Sequence, residues 1–120
     1  ADYGGIYTGK KVNKFEKCKL TKKAASVVSC PMIAECPVSI ECRVTEIIPL
    51  GSHDMFMADI VAVNVDEELF DKEDKMRLDK AGLVAYAHGE YFELGKRIGK
   101  FGFSTNKKKK NNSVKSREKR

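Results

Sequence analysis

A chain of 120 residues carrying a net charge of +6 is long enough for one small domain with one core. No apolar run approaches the ~20 residues of a membrane span, and the opening ADYGGIYTGK lacks the apolar stretch of a secretory signal, so a cytoplasmic location is expected. The charge is unevenly spread: residues 105–120 hold eight basic residues and one acid, Glu118, while residues 1–104 sum to −1. That division sets a domain over 1–104 and a solvated, disordered basic tail over 105–120. The tail has no aromatic residue to stack on a base, so nucleic-acid binding through it is only a minor alternative.

Residues 1–9 are glycine-rich and read as turns. Lys10 to Leu20 then reads as a short basic helix, with Val12 and Phe15 on one face. AASVVS, residues 24–29, has the composition of a short strand, and Pro31 and Pro37 bracket a connector. The clearest signal is Val38 to Thr45. There Val38, Ile40, Cys42 and Val44 alternate with Ser39, Glu41, Arg43 and Thr45, which predicts a strand with one wet face. The alternation breaks at the adjacent Ile47 and Ile48, where a bulge or a change of burial is expected. Pro49, Gly51 and Ser52 mark a turn.

Met55 to Val65 predicts a strand that is apolar on both sides. Met55, Met57, Val61, Val63 and Val65 fall on one, and Phe56, Ala58, Ile60 and Ala62 on the other. A strand of that kind needs cover on both faces, which hints at a second subunit. Asp66 to Lys80 is a charged excursion, Leu83 to Ala87 a third strand, and GKRIGKFGF a short closing element punctuated by Gly95, Gly99 and Gly102. Strands joined by turns, without β-α-β alternation, point to a mostly β fold with short helices, an antiparallel barrel or sandwich.

Several chemistries find no support. Ser52 and His53 are neighbours without a G-x-S-x-G elbow. Neither a Walker A loop nor a dinucleotide fingerprint is present. Cys18, Cys30, Cys36 and Cys42 form no C-x-x-C pair, and with two histidines in the chain no zinc signature emerges. Cys42, inside the strand pattern, reads as a small core residue, and nothing demands a disulfide. YTGKK, residues 7–11, is the strongest local motif. A hydroxyl, a glycine and two lysines leading into a helix can hold a phosphate, or can be a plain loop before a basic helix. His53 lies either at a ligand-facing rim or in a surface turn. Tyr86, Tyr91 and Phe92 either pack or line a site.

Four blocks together carry a family resemblance: ADYGGIYTGKKVNKF, IECRVTEI, GSHDMF and HGEYFELG. In that order they resemble the flavin reductase-like, FMN-binding split-barrel family, with the flavoredoxin type nearest, over residues 1 to about 104. The resemblance implies a Greek-key-like split β-barrel of which this chain is the C-terminal part. It also implies a homodimer binding FMN near the subunit interface, with NAD(P)H as co-substrate and an electron-acceptor protein as a further partner.

Carried over residue by residue, the resemblance assigns Thr8, Gly9, Lys10, Lys14, Phe15, His53 and Tyr91 to cofactor binding. No side chain is assigned a catalytic role and no metal is implied, because the flavin carries the chemistry. The loop departs from the family's S-G-R-D-V-D-K-F. Lys10 keeps the charge of Arg without its fork, and Lys11 and Asn13 stand where two acids are usual. The implied function is passage of electrons from NAD(P)H to flavin. The alternatives are a non-catalytic flavin-bearing electron carrier and a cofactor-free β-barrel interaction module.

Overall fold

The computed structural model describes residues 1–105, so the expected basic tail lies outside the described residues apart from Thr105. The elements in chain order are helices α1 (Asp2–Ile6) and α2 (Lys14–Lys17) and strands β1 (Lys22–Lys23), β2 (Met32–Ile33), β3 (Val38–Pro49), β4 (Asp54–Val65), β5 (Val84–Ala87) and β6 (Glu90–Glu93). They form three antiparallel pairs, β1 with β2, β3 with β4 and β5 with β6.

The N-terminal third departs from the sequence reading in four places. One helical turn, α1, stands in the segment read as turns, and the helix expected over Lys10–Leu20 shrinks to four residues. Its limits have local causes. Asn13 is non-helical and caps α2, its Oδ1 accepting from the Glu16 N–H at 3.5 Å. At the other end Lys19 takes a left-handed conformation, φ 53°. The Leu20 N–H then reaches the Phe15 carbonyl at 2.8 Å, and the Lys19 N–H reaches that of Glu16 at 3.2 Å, a Schellman closure. Residues 24–29 are not a strand: their backbone donors turn to a side chain, described below. The connector between the prolines contains β2, paired Lys22↔Ile33 and Lys23↔Met32.

β3 and β4 form the dominant element, a hairpin of two twelve-residue strands. Its loop is the expected turn, closed by the Leu50 N–H donating to the His53 carbonyl at 2.8 Å. Two bulges interrupt the ladder. Thr45 is the extra residue on β3, near the predicted break, and Val61 is the extra residue on β4. Cross-strand partners share a face, so the register sorts the side chains. One face carries Val38, Ile40, Cys42, Val44 and Ile47 opposite Val65, Val63, Ile60, Ala58 and Phe56. The other carries Ser39, Glu41, Arg43 and Glu46 opposite Asn64, Ala62, Asp59 and Met57.

This corrects the two-sided reading of β4. The Val61 bulge moves Val63 and Val65 to the side of Ile60, leaving one face wholly apolar and the other mixed. Most of the apolar face is uncovered by the described residues, and only its Val38–Val65 end is half-buried. Ile60 is 64% exposed and Phe56 61%. Cys42 is exposed as well, contrary to its reading as a core residue, because it lies on that open face.

Two of the described residues are buried. Leu69, 6% exposed, anchors the charged excursion. Around it run 3₁₀ turns at Glu67–Leu69 and Leu78–Lys80, a bridge between Phe70 and Met76, and a two-pronged Arg77–Asp79 ion pair at 2.6 and 2.8 Å. The second buried residue is Glu41, 3% exposed, on the face the alternation assigned to water. Its carboxylate accepts from the N–H groups of Ser26, Val27 and Val28 at 2.6, 2.7 and 3.0 Å, and from the Asn64 amide at 2.8 Å. Ser26 also donates its hydroxyl to Asn64 Oδ1 at 2.8 Å. This clamp uses the donors of segment 26–28 and fastens it to β3.

The third hairpin, β5–β6, pairs Val84↔Glu93 through Ala87↔Glu90, so the third expected strand has a partner that the sequence reading left out. Its loop is His88–Gly89, with φ 50° and 83°, both left-handed as a tight primed hairpin turn demands. Gly89→Ala is expected to cost about 1–2 kcal/mol. His88→Asn is expected to stabilise slightly, because Asn tolerates that conformation better. Urea denaturation of the two variants measures both, and an unaffected Gly89→Ala would rule the turn type out. Beyond Glu93 the expected closing element is a loop ending in a 3₁₀ turn at Phe103–Thr105. Gly99 sits close to Phe103, and a Cβ there would lie 2.5 Å from the ring as it is placed, so the exposed ring would have to shift.

Candidate functional site

The segment Thr8–Phe15 is the one concave feature built from the predicted site residues. Thr8 organises it: its carbonyl accepts from the Lys11 and Val12 N–H groups, both at 3.2 Å, and its hydroxyl accepts from the Lys10 N–H at 3.4 Å. This tight turn brings Gly9, Lys10, Lys11, Lys14 and Phe15 around a shallow hollow of about 570 Å³. Lys14 is held by its ammonium donating to the Gly4 carbonyl of α1 at 2.6 Å. An ammonium has three donors, so two remain for a ligand. Phe15, one residue on, has the Lys22 ammonium 5.2 Å from its ring centre, a cation–π contact.

Tyr91 joins this region through the same short helix. Its hydroxyl donates to Asp2 Oδ1 at 3.4 Å, and its ring packs edge-on against Tyr86 at 5.1 Å. Desolvation, with the adjacent Asp2 carboxylate, pushes the Tyr91 phenol above its ordinary range. The phenol therefore stays a neutral donor. α1 thus bridges two predicted site residues, Lys14 through Gly4 and Tyr91 through Asp2. Asp2 and Lys11 were not singled out from the sequence. Lys11 lay within the motif, whereas nothing local marks Asp2.

His53 stands apart at the tip of the β3–β4 hairpin. Its Nδ1 is 2.9 Å from the Ser52 hydroxyl, and among the described residues no hydrogen bond or hollow links it to the Thr8–Phe15 loop. The Ser52–His53 contact joins chain neighbours and has no third group behind the histidine, so it lacks the parts of a nucleophilic site.

The donor set tests what the loop can hold. Three lysines suit a phosphate, whereas the N–H groups of Lys10, Lys11 and Val12 are already spent on Thr8. Phe15 and the tyrosine pair supply aromatic surface, but the hollow is open and encloses no flat ring. The residues present therefore fit the phosphate end of a flavin nucleotide and only part of the wall around its ring system.

Residues 1–95 match the model of the flavin reductase like domain. The chain belongs to that family. Flavoredoxin of Desulfovibrio vulgaris (Miyazaki F) is similar at 29% identity and a TM-score of 0.77, over 88% of this chain and 57% of its own. Flavoredoxin from Methanosarcina acetivorans is similar at 27% identity and a TM-score of 0.69, over the same shares. A split-barrel structure from Shewanella frigidimarina NCIMB 400, at 20% identity and a TM-score of 0.66, covers 83% of this chain and 52% of its own, and supports the fold alone. No sequence among the curated proteins matches.

These likenesses bear out the split-barrel expectation, and the chain spans little more than half the length of the structures it resembles. No helix among the described residues is long and apolar enough to cross a membrane, which says nothing of membrane β-barrels.

Proposed function

We propose that the chain is the phosphate-holding part of an FMN-dependent oxidoreductase that passes electrons from NAD(P)H to flavin. The observation that carries this reading is the Thr8-centred turn with Lys10, Lys11 and Lys14 about one hollow, in a chain of the flavin reductase-like family. Bound FMN would supply the acceptance of a hydride from a nicotinamide. The chain's own part is positional: lysine charge and the Thr8 loop hold the phosphate, Phe15 and Tyr91 border the ring, and Tyr91 offers a neutral hydroxyl. His53 belongs to the site in this reading only by resemblance, at a rim contributed by the hairpin tip.

A homodimer is part of the proposal. The uncovered apolar face, Ile40 to Phe56, supports assembly with a second copy. Cytoplasmic residence and an acceptor protein go with the same reading. The likeness to two flavoredoxins at 27–29% identity favours a second reading, a flavin-bearing electron carrier that NAD(P)H does not reduce.

Titration of the chain with FMN tests both readings. Saturable quenching of flavin fluorescence at micromolar protein, with a dimeric mass in sedimentation, is the expected result. Absent quenching overturns the flavin assignment of these residues, and a monomeric mass overturns the dimer. Bleaching of the bound flavin by NAD(P)H separates the reductase from the carrier.

A further inference from the structure

We propose that Asp2 is a positioning residue that fixes the direction of the Tyr91 hydroxyl, so that the phenol oxygen accepts a hydrogen bond from the flavin. The inference rests on the flavin reading above and deepens it. The Tyr91 hydroxyl lies 3.4 Å from Asp2 Oδ1. A carboxylate only accepts, and a phenol has one hydrogen to give. That hydrogen is committed to Asp2, and what Tyr91 still offers a ligand is the lone-pair side of its oxygen. A ligand group facing it must then be an N–H or an O–H, not a carbonyl. A flavin carries both kinds of donor, the imide N–H of its ring system and the hydroxyls of its ribityl chain.

Both partners of this bond are held from outside it. Tyr91 is the cross-strand neighbour of Tyr86, and the two rings meet edge-on at 5.1 Å, which sets the plane of the phenol. Tyr91 remains 46% exposed, so a ligand can reach it. Asp2 sits in the first turn of α1, a five-residue helix of sequence DYGGI. A helix so short, with two adjacent glycines, does not stand alone. Lys14 fastens it by donating to the Gly4 carbonyl at 2.6 Å, and the Tyr3 and Tyr7 rings pack 4.5 Å apart along it. The phosphate loop therefore places the carboxylate that orients Tyr91. Desolvation first, then the Asp2 charge and bond, and lastly Tyr86, hold the phenol above its ordinary range, so it keeps the hydrogen that the bond needs.

The test is binding of riboflavin, which leaves the phosphate out, to wild type, Asp2→Ala, Tyr91→Phe and the double variant. Each single change should weaken riboflavin about fivefold, and the double variant should lose no more than the larger of the two. Two analogues identify the donor. One is riboflavin methylated on the imide nitrogen, and the other is lumiflavin, which has a methyl group in place of the ribityl chain. Tyr91→Phe should have no effect on the analogue that lacks the donor facing the phenol. A full loss retained for both analogues would overturn the proposal, as would additive losses in the double variant.

Tyrosinate absorbance against pH reads the Asp2–Tyr91 bond with no ligand present. Removing the Asp2 charge removes one cause of the raised phenol pKa, so Asp2→Asn should ionise Tyr91 at lower pH than wild type does. The Tyr91 signal is identified by its absence from Tyr91→Phe, which retains Tyr3, Tyr7 and Tyr86. An unchanged Tyr91 ionisation would overturn the bond. Wild type that binds neither FMN nor riboflavin would overturn the flavin reading itself. Riboflavin binding that Asp2→Ala leaves unchanged would overturn the role of Asp2 while leaving that reading in place.

Discussion

Glu41→Gln should lower the melting temperature by on the order of 10 °C, the largest effect of any single conservative change in the described residues. The carboxylate has about four lone-pair sites and meets four donors, three of them consecutive backbone N–H groups. A glutamine presents one oxygen and one NH₂ group, so at least one backbone N–H then faces another donor in a buried place. Hydrogen exchange at Ser26, Val27 and Val28 should accelerate by about a hundredfold, with the β5–β6 hairpin unchanged. Unchanged exchange at those three amides would show that the clamp does not hold the segment.

The same clamp fixes a pH dependence. Desolvation works to raise the Glu41 pKa, but the donors of Ser26, Val28, Asn64 and Val27 together outweigh it and bring it from 4.5 down to about 2. A carboxylate depressed in the folded state contributes stability that is complete above its unfolded value, here 4.5. That contribution is lost as pH falls toward about 2. Asp79, held down to about 2 by Arg77, acts in the same acid range, as do Glu35 beside the Thr21 N–H and Asp71 beside that of Lys75. The difference between wild type and Glu41→Gln therefore isolates the clamp: it should be flat above pH 4.5 and shrink below it.

What the sequence made legible follows the range of the signals. The β3–β4 hairpin was readable because alternation and the Pro49–Gly51 turn are local properties. The Thr45 bulge announced itself through the adjacent Ile47 and Ile48. The Val61 bulge did not, because its effect on which side Val63 faces exists only in the register with β3. The expected helix over Lys10–Leu20 overran for a similar reason. The lysine-rich run has helical propensity throughout, but a cap at Asn13 and a left-handed Lys19 decide its length.

Glu41 was read as solvent-facing because its donors arrive from 13 to 15 residues earlier, in a segment whose composition suggested a strand. Within the site the contiguous loop Thr8–Phe15 was recognisable, whereas the Tyr91–Asp2 bond spans 89 positions and no local pattern foretells it. The inversion on β3 has the same root. Among the described residues the apolar side is mostly open, and the polar side holds the buried Glu41 because segment 26–28 folds over it.

The second large effect concerns the loop. Lys10→Ala and Lys14→Ala should each weaken FMN binding by roughly tenfold, and the pair together by about a hundredfold, through loss of charge-assisted bonds to a dianionic phosphate. Lys14 should matter at least as much as Lys10, because its bond to Gly4 already fixes the ammonium before a ligand arrives. Riboflavin, which lacks the phosphate, provides the control. If the lysines act on the phosphate, its binding should change less than about twofold in either variant, and FMN affinity in the wild type should fall with added salt while that of riboflavin does not. Equal losses for FMN and riboflavin would mean that the lysines shape the loop without holding the ligand. No loss for either would remove the loop from the flavin site altogether and leave the family fold without its expected anchor. The comparison is decisive because the loop is the contiguous part of the proposed site, with its three lysines about one hollow.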